Sequence, residues 1–119
     1  MTRPDRFSAI ASHPALAVHV FAPDGTTRLV NAAYTALFGL TAADWATNGT
    51  IWALPRFAES DLTPYLRRAW SGQHVTVPPR AYSRAEIPQL PRELLWVKTL
   101  IVPVCDENGD LAEIIAIHE

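Results

Sequence analysis

Apolar and polar positions change period near residue 31, and this change predicts a hairpin followed by a helix. Residues 15–22 are short and mostly apolar, which favours a buried strand. Pro-Asp-Gly at residues 23–25 is strong turn chemistry, so residues 26–30 are predicted to return as a second strand. Asn31 can then cap a helix by accepting a hydrogen bond from a free backbone N–H. Apolar residues recur at helical spacing as far as Gly39, which fits the left-handed position just past a helix end.

Further short helices are predicted in the middle of the chain. Thr-Ala-Ala-Asp at residues 41–44 has the pattern of a capping box and opens a short helix, which Gly49 ends. A one-turn segment near residues 51–54 precedes a longer helix, for which Ser60 or Thr63 is the predicted cap. The longer helix has an apolar stripe that we expect to face inward: Leu62, Leu66, Ala69 and Trp70.

The last part of the chain predicts three strands. Residues 73–79 alternate between polar and apolar side chains, whereas residues 78–91 contain four prolines and favour a long irregular loop. Residues 93–105 form a long predicted strand, and the Asn-Gly within residues 106–110 is a strong hairpin signal. Residues 111–118 close the domain. Two strands, several short helices and three strands together indicate an α+β domain with one antiparallel sheet.

Length and composition limit the function classes. The 119 residues, 49% hydrophobic and 18% charged, are typical of one globular domain that buries about two-thirds of its unfolded surface. A net charge of -2 without a basic stripe predicts no direct contact with nucleic acid. No apolar run reaches about 18 residues, and residues 1–14 lack the apolar core of a signal peptide, so we expect a cytoplasmic protein without membrane contact. The single cysteine, Cys105, excludes an internal disulfide and fits a reducing compartment.

The order of these elements and the motifs inside them resemble a PAS domain, a sensory module of signalling proteins. The resemblance covers residues 14–118 and departs from the family in a missing aspartate near Ala22 and a longer proline-rich loop. Many members continue from the last strand into a signalling helix, and this sequence stops just before that point. We therefore expect a fragment of a larger bacterial signalling or transcription-regulatory protein. The motifs that carry the resemblance are Asp24-Gly25, Asn31, Ala36-Leu37-Phe38-Gly39, Ala69-Trp70-Ser71-Gly72, Trp96, Pro103-Val104, Asp106 and Gly109.

The resemblance implies an α+β fold with a five-stranded antiparallel sheet in the order 2-1-5-4-3 and short helices on one face. Residues 1–13 would form an N-terminal cap helix, and residues 14–119 would form the sensor domain. A pocket between sheet and helices would hold a ligand. The alternative is that large aromatic side chains fill this space and leave no room. The predicted ligand-binding residues are Val20, Leu37, Trp52, Phe57, Leu66, Trp70, Val75 and Leu100.

No cofactor is predicted. Haem-binding members of the family carry a histidine in the long helix, and residues 61–71 contain none, which argues against haem. Light-sensing members carry a reactive cysteine in an Asn-Cys-Arg motif, whereas Cys105 precedes a hairpin turn, which argues against covalent flavin. Non-covalent FAD stays open, since stacking on Trp52 or Trp70 would suffice. Metal-ligand spacing is absent, because no two His or Cys residues lie close together in the sequence.

The histidines and the cysteine are predicted to have structural roles. His19 alternates with its apolar neighbours, so we expect it to face the side of the sheet opposite the pocket, where a role in pH sensing is the weaker hypothesis. His13 and His118 are expected at the surface, and His74 is expected to be partly exposed at the start of a strand. Cys105 is expected to be buried at a strand end.

Three functions compete. The first is a sensor that binds a small apolar or aromatic ligand, or a partner, and regulates an output domain in the same chain. The preferred output is a DNA-binding transcription regulator, and a histidine kinase is the other candidate. The second is a homodimerisation module without ligand, which would use an N-terminal helix and the outer sheet face. The third is an enzyme with Asp61 and Tyr82 as acid and base; since no polarising partner accompanies them, we expect no catalysis.

Overall fold

The computed structural model describes residues 16–53 and 60–119, so the predicted helix at residues 1–13 lies outside the described residues. Within the described ranges, the elements in chain order are β1 (Ala17–Phe21), β2 (Thr27–Val30), α1 (Ala32–Phe38), α2 (Ala42–Asn48), a 3-10 turn (Ile51–Ala53), α3 (Thr63–Trp70), β3 (Val75–Ser83), β4 (Leu94–Cys105) and β5 (Leu111–His118). None of the helices in these ranges is long and apolar enough to cross a membrane.

The five strands form one antiparallel sheet in the order β2-β1-β5-β4-β3, which confirms the predicted fold class. The register of β1 against β5 runs from Ala17 opposite His118 to Phe21 opposite Ile114. The first and last strands therefore lie side by side in the sheet. α1 packs on β1, α2 packs on β2, and α3 packs across β3, β4 and β5.

Asn31 joins the opening hairpin to the helix that follows it. Its Oδ1 accepts a hydrogen bond from the backbone N–H of Tyr34 at 2.9 Å, which caps α1 as predicted. The same oxygen accepts from the backbone N–H of Val18 at 3.0 Å, and Nδ2 donates to the carbonyl of Leu16 at 2.6 Å. One side chain thus holds the start of α1 against β1.

Gly39 ends α1 with a φ of +73°, in the left-handed region, and its N–H donates to the carbonyl of Thr35 at 2.8 Å. A Cβ at this position would collide with the backbone carbonyl of Gln89, in the loop before β4. Glycine is therefore required here both by φ and by the close approach of that loop. α2 begins at the predicted capping box, in which the side chains of Thr41 and Asp44 each accept a hydrogen bond from the other's backbone N–H.

α3 begins differently from its prediction. The helix starts at Thr63 after Leu62, which makes no side-chain cap, so neither Ser60 nor Thr63 is the cap. Their hydroxyls instead accept hydrogen bonds inside the preceding turn, Ser60 Oγ from the N–H of Leu62 at 3.1 Å and Thr63 Oγ1 from the N–H of Ser60 at 3.0 Å. Pro64 occupies the first turn, where a missing N–H leaves no partner unsatisfied.

β3 continues through two prolines, which makes the predicted loop at residues 78–91 too long. The strand spans Val75–Ser83, and its register against β4 shifts between Val77 and Arg80, with both prolines between them. Because β3 is an edge strand of the described sheet, the prolines remove no hydrogen bond from its interior. The irregular connection is therefore limited to residues 84–93.

Alternation along β4 separates two faces of the sheet. Side chains that face the helices are buried, whereas those on the other side, called the outer face below, are mostly exposed. Cys105, expected to be buried, is exposed at the end of this strand. The outer face of β4 carries large apolar side chains, namely Leu94, Trp96, Leu100 and Val104, of which Trp96 is 63% exposed.

Gly39→Ala should destabilise the fold more than Gly109→Ala. Gly109 also has a left-handed φ, +83°, but open space surrounds its Cβ position, so alanine there adds only the backbone cost of about 1–2 kcal/mol. At Gly39 the collision with Gln89 adds to that cost, and we expect the free energy of unfolding to fall by about 2–5 kcal/mol in total. Urea unfolding followed by circular dichroism measures both losses; equal losses would contradict the close approach.

Candidate functional site

A cavity of about 50 Å³ lies between the sheet and the helices. Its wall is mostly apolar and aromatic, and none of its described lining residues is Asp, Glu, Lys or Arg. Sheet and helices both contribute side chains, among them His19 and Phe21 of β1, Thr99 of β4, Ala116 and His118 of β5, Tyr34 and Phe38 of α1, Trp45 of α2 and Leu66 of α3. The polar atoms of the wall are therefore few and belong mainly to two imidazoles and the hydroxyls near them.

His19 is buried in an aromatic cage, with 2% of its surface exposed. Its ring stacks on Phe21 at 3.8 Å between centroids and meets the edges of Trp45 at 4.6 Å and Tyr34 at 5.0 Å. Nε2 is hydrogen-bonded to Oγ1 of Thr27 on β2 at 2.8 Å. The ring position is therefore fixed by stacking on one side and by the neighbouring strand on the other.

His118 lies on the adjacent strand and turns to the same cavity. Its Nδ1 is hydrogen-bonded to Oγ1 of Thr99 at 2.8 Å, directly across the ladder from β5 to β4. Its ring centroid is 5.0 Å from that of Phe38 and 5.6 Å from that of Tyr34. Tyr34 thus contacts both imidazoles, and its hydroxyl accepts a hydrogen bond from Nε1 of Trp45 at 3.2 Å.

Burial keeps both imidazoles neutral. Desolvation lowers the pKa of His118 to about 4. Desolvation also lowers the pKa of His19 well below 6.5, and repulsion by a charge on His118 adds to that effect. At neutral pH both rings are therefore uncharged, and each has one nitrogen that can donate a hydrogen bond and one that can accept.

Leu66 is the predicted ligand-binding residue that lines the cavity. Trp52 and Trp70 come together as predicted but pack outside the lining, with ring centroids 4.9 Å apart. Nε1 of Trp70 donates to the carbonyl of Pro23 at 2.9 Å, so this pair holds the turn of the opening hairpin. Phe57 lies outside the described residues.

The remaining predicted residues do not line the cavity. Val75 packs in the hydrophobic core and Leu37 packs against it, but neither side chain lines the cavity. The predicted orientation of Val20 and Leu100 is wrong. Each lies between two residues of its strand that line the cavity, and successive side chains of a strand point to opposite faces, so each points to the outer face. Leu100 is 40% exposed there.

The predicted positions of two histidines relative to the pocket are also wrong. His19, expected to face away from the pocket, and His118, expected at the surface, are the main polar groups of the cavity. Every residue of β1 is buried, so the apolar pattern gave no indication of which face His19 shares. His74 is exposed just before β3, in line with its prediction, and His13 lies outside the described residues.

Arg80 contacts Asp61 and Tyr82, the two residues of the candidate acid–base pair. Its guanidinium donates to both carboxylate oxygens of Asp61, with Nε–Oδ2 and Nη2–Oδ1 distances of 2.9 Å, and this hydrogen bonding lowers the pKa of Asp61. The same guanidinium lies 4.6 Å from the ring centre of Tyr82, whose pKa is raised by burial. Both shifts move the groups away from neutral pH, which is the opposite of what general acid–base catalysis requires.

The buried imidazoles predict a loss of stability in mild acid. The unfolded chain binds protons on these rings below about pH 6.5, whereas folded His118 does so only near pH 4. The unfolded state therefore holds more protons between these values, and the free energy of unfolding falls as pH falls, by about 1.4 kcal/mol per pH unit for His118, while the lowered pKa of His19 adds to the loss in the same direction.

Urea titrations at several pH values between these limits measure that slope. His118→Phe should reduce the slope by about 1.4 kcal/mol per pH unit, and His74→Phe, at an exposed position, should keep it. A slope that His118→Phe leaves unchanged would show that the ring of His118 is not buried in its neutral form.

Comparison with known families agrees with this architecture. A family model described as PAS fold matches residues 12–119. None of the curated proteins matches the chain.

Several solved structures share the fold. A domain of the sensory box sensor histidine kinase/response regulator from Geobacter sulfurreducens is 18% identical with a TM-score of 0.67, over 95% of this chain and 90% of that chain. The N-terminal domain of a diguanylate cyclase with PAS/PAC sensor from Marinobacter aquaeolei is 13% identical with a TM-score of 0.61, over 87% and 93%. The PAS domain of nitrogen regulation protein NR(II) from Vibrio parahaemolyticus is 17% identical with a TM-score of 0.58, over 98% of both chains. Since the family model spans most of the sequence, the chain belongs to the PAS fold family of sensory domains.

Proposed function

We propose that this PAS domain senses a small molecule that occupies the cavity and regulates an attached output domain. The observation that carries the proposal is the composition of the cavity wall: apolar and aromatic side chains surround a few buried polar groups. Ligand sites in proteins usually have this composition, with the polar groups fixing the orientation of the ligand. A core filled by packing alone gains nothing from two imidazoles that must be buried without charge.

The volume of the cavity limits the ligand. One water-sized group needs about 10–15 Å³ of such volume, so about 50 Å³ holds about three to five of them. An aromatic ring, for which a cavity of about 150 Å³ suffices, would enter only if side chains moved. At about −1.5 kcal/mol per non-hydrogen atom at best, a ligand of five such atoms binds with a Kd no tighter than about 3 µM.

The small volume of the cavity also supports the proposal that this domain holds no resident cofactor. Haem and flavin are far larger than the cavity, so neither enters it without rearrangement of the core. Trp52 and Trp70, on which FAD could stack, meet edge to face with 73° between their planes. They therefore do not form a slot with parallel walls for a flat ring system.

Side chains of β1 and β5, two neighbouring inner strands of the sheet, line the cavity. A ligand that contacts His19 and His118 touches β1 and β5 together, and it shifts the output only if it binds one conformation better than another. We propose that the output domain belongs to the same chain, in a cytoplasmic protein. The proteins with similar structures include a sensor histidine kinase/response regulator and a diguanylate cyclase, which favours such an output over the DNA-binding regulator preferred from the sequence.

A second candidate function is homodimerisation through the outer face. Trp96 and Leu100 are 63% and 40% exposed there, and Leu94 and Val104 are further exposed apolar side chains of the same strand, on which Lys98 lies between Trp96 and Leu100. Large exposed apolar side chains that share one face of a domain favour an interaction site. In an isologous dimer, the same face of both copies would be covered at once.

Filling the cavity should abolish binding of an apolar probe. Ala116 lines the cavity from β5, so Ala116→Leu would occupy it with side-chain atoms. Ala81→Leu is the matched control, because Ala81 lies opposite Trp96 on the outer face. Under xenon pressure, lining residues of the unaltered chain and of Ala81→Leu should show saturable shifts in NMR spectra, and those of Ala116→Leu should not. The absence of saturable shifts in the unaltered chain would contradict the proposal.

Homodimerisation has its own test. Trp96→Lys replaces the most exposed large apolar side chain of the outer face by a charge, so sedimentation equilibrium should give the mass of one chain in place of two. Ala42→Lys, at an exposed position on α2, should leave the mass of the dimer unchanged. A single-chain mass for the unaltered protein at all concentrations tested would rule out the homodimer for this domain.

A further inference from the structure

Two ring nitrogens in the cavity lack a partner in the described part of the chain. His19 uses Nε2 for its hydrogen bond to Thr27, and His118 uses Nδ1 for its hydrogen bond to Thr99. Nδ1 of His19 and Nε2 of His118 make no hydrogen bond to any described residue. Both rings line the same cavity, where His19 is buried and His118 is half-buried. Buried polar atoms normally have partners, so an unpaired one in a cavity wall points to a missing ligand group or water.

Strand register places these rings close to each other. His19 lies opposite Ala116 and His118 lies opposite Ala17, so the two are diagonal neighbours on one face, about 7–8 Å apart. The small side chains opposite each imidazole leave space above the sheet. Tyr34 lies against both rings, at 5.0 Å and 5.6 Å, and its hydrogen bond from Trp45 fixes it there.

We infer that the two imidazoles bind the hydroxyl group of a small ligand, either an alcohol or an undissociated carboxylic acid, with a short apolar chain. This inference rests on the proposed function and names the class of its ligand. Each threonine hydroxyl either donates or accepts, so each ring can adopt the tautomer that a ligand needs. The pair thus offers one donor and one acceptor, which is what a hydroxyl group requires.

The described groups around the cavity disfavour charged ligands. Among the described lining residues, the titratable side chains beside the two imidazoles are Tyr34 from α1 and Tyr82 from β3, and none is Asp, Glu, Lys or Arg. A carboxylate or an ammonium group would therefore be buried without a counter-ion, which is unfavourable. The apolar remainder of the wall takes the hydrocarbon part, and the volume of about 50 Å³ keeps it short.

Three probes of equal size separate hydroxyl recognition from simple filling of the cavity. Butan-1-ol and diethyl ether are isomers, but only the alcohol donates a hydrogen bond; propanoic acid carries the hydroxyl in a carboxyl group. NMR titration of the complete 119-residue chain measures each affinity. We expect butan-1-ol to bind about tenfold tighter than the ether, as one further hydrogen bond provides.

Variants assign that preference to the imidazoles. His118→Phe keeps a ring of similar size without ring nitrogens, so alcohol and ether should bind equally; His74→Phe, at an exposed position, should keep the preference. In the unaltered chain, alcohol and not ether should also shift the imidazole nitrogen resonances of His19 and His118. This second measurement decides the question even if His118→Phe fails to fold.

pH separates the two ligand types. Between about pH 6 and pH 7 the alcohol affinity should stay constant, while that of propanoic acid should fall about tenfold, because only its undissociated form enters. Equal binding of alcohol and ether to the unaltered chain, unmoved imidazole resonances or pH-independent acid binding would overturn this inference and leave the proposed function standing. Failure of all three probes to bind would overturn both.

Discussion

The antiparallel pairing of β1 with β5 is the constraint on which the candidate site depends. Its register puts an alanine opposite each buried histidine, Ala116 opposite His19 and Ala17 opposite His118. A larger side chain at Ala116, which lines the cavity, would fill the space above the sheet. The pairing also places both imidazoles on the face that the helices cover, where burial keeps them neutral. Sheet topology thus sets both the volume and the polarity of the cavity.

Local chemistry made the elements predictable. The cap at Asn31, the capping box that begins at Thr41 and the Asn-Gly hairpin before β5 each depend on residues within a few positions of one another, so the sequence carries the whole signal. The sequence predicts too short a third strand, because prolines are generally unfavourable within a strand. They are tolerated because β3 lies at a sheet edge, and edge position is a property of the topology.

The site was harder to predict than the fold, since it depends on which face each strand residue occupies. Val20 and His19 are both buried, so burial pattern could not separate the outer face from the cavity. Trp52 and Trp70 do meet, but they hold the opening turn instead of lining the cavity. His118 ends the last strand, which is a position typical of surface residues. It lines the cavity instead, because it contacts residues of α1 that are distant in the sequence.

Titration of the imidazole nitrogens of His19 and His118 by NMR tests the central claim most directly, because it reports on burial and charge at the two positions that the strand pairing brings together. Both rings should still be neutral at pH 6.5, where an exposed histidine is half-protonated, with the ring of His118 taking up a proton only near pH 4. Protonation of both rings near pH 6.5, as for an exposed histidine, would show that β1 and β5 do not enclose them.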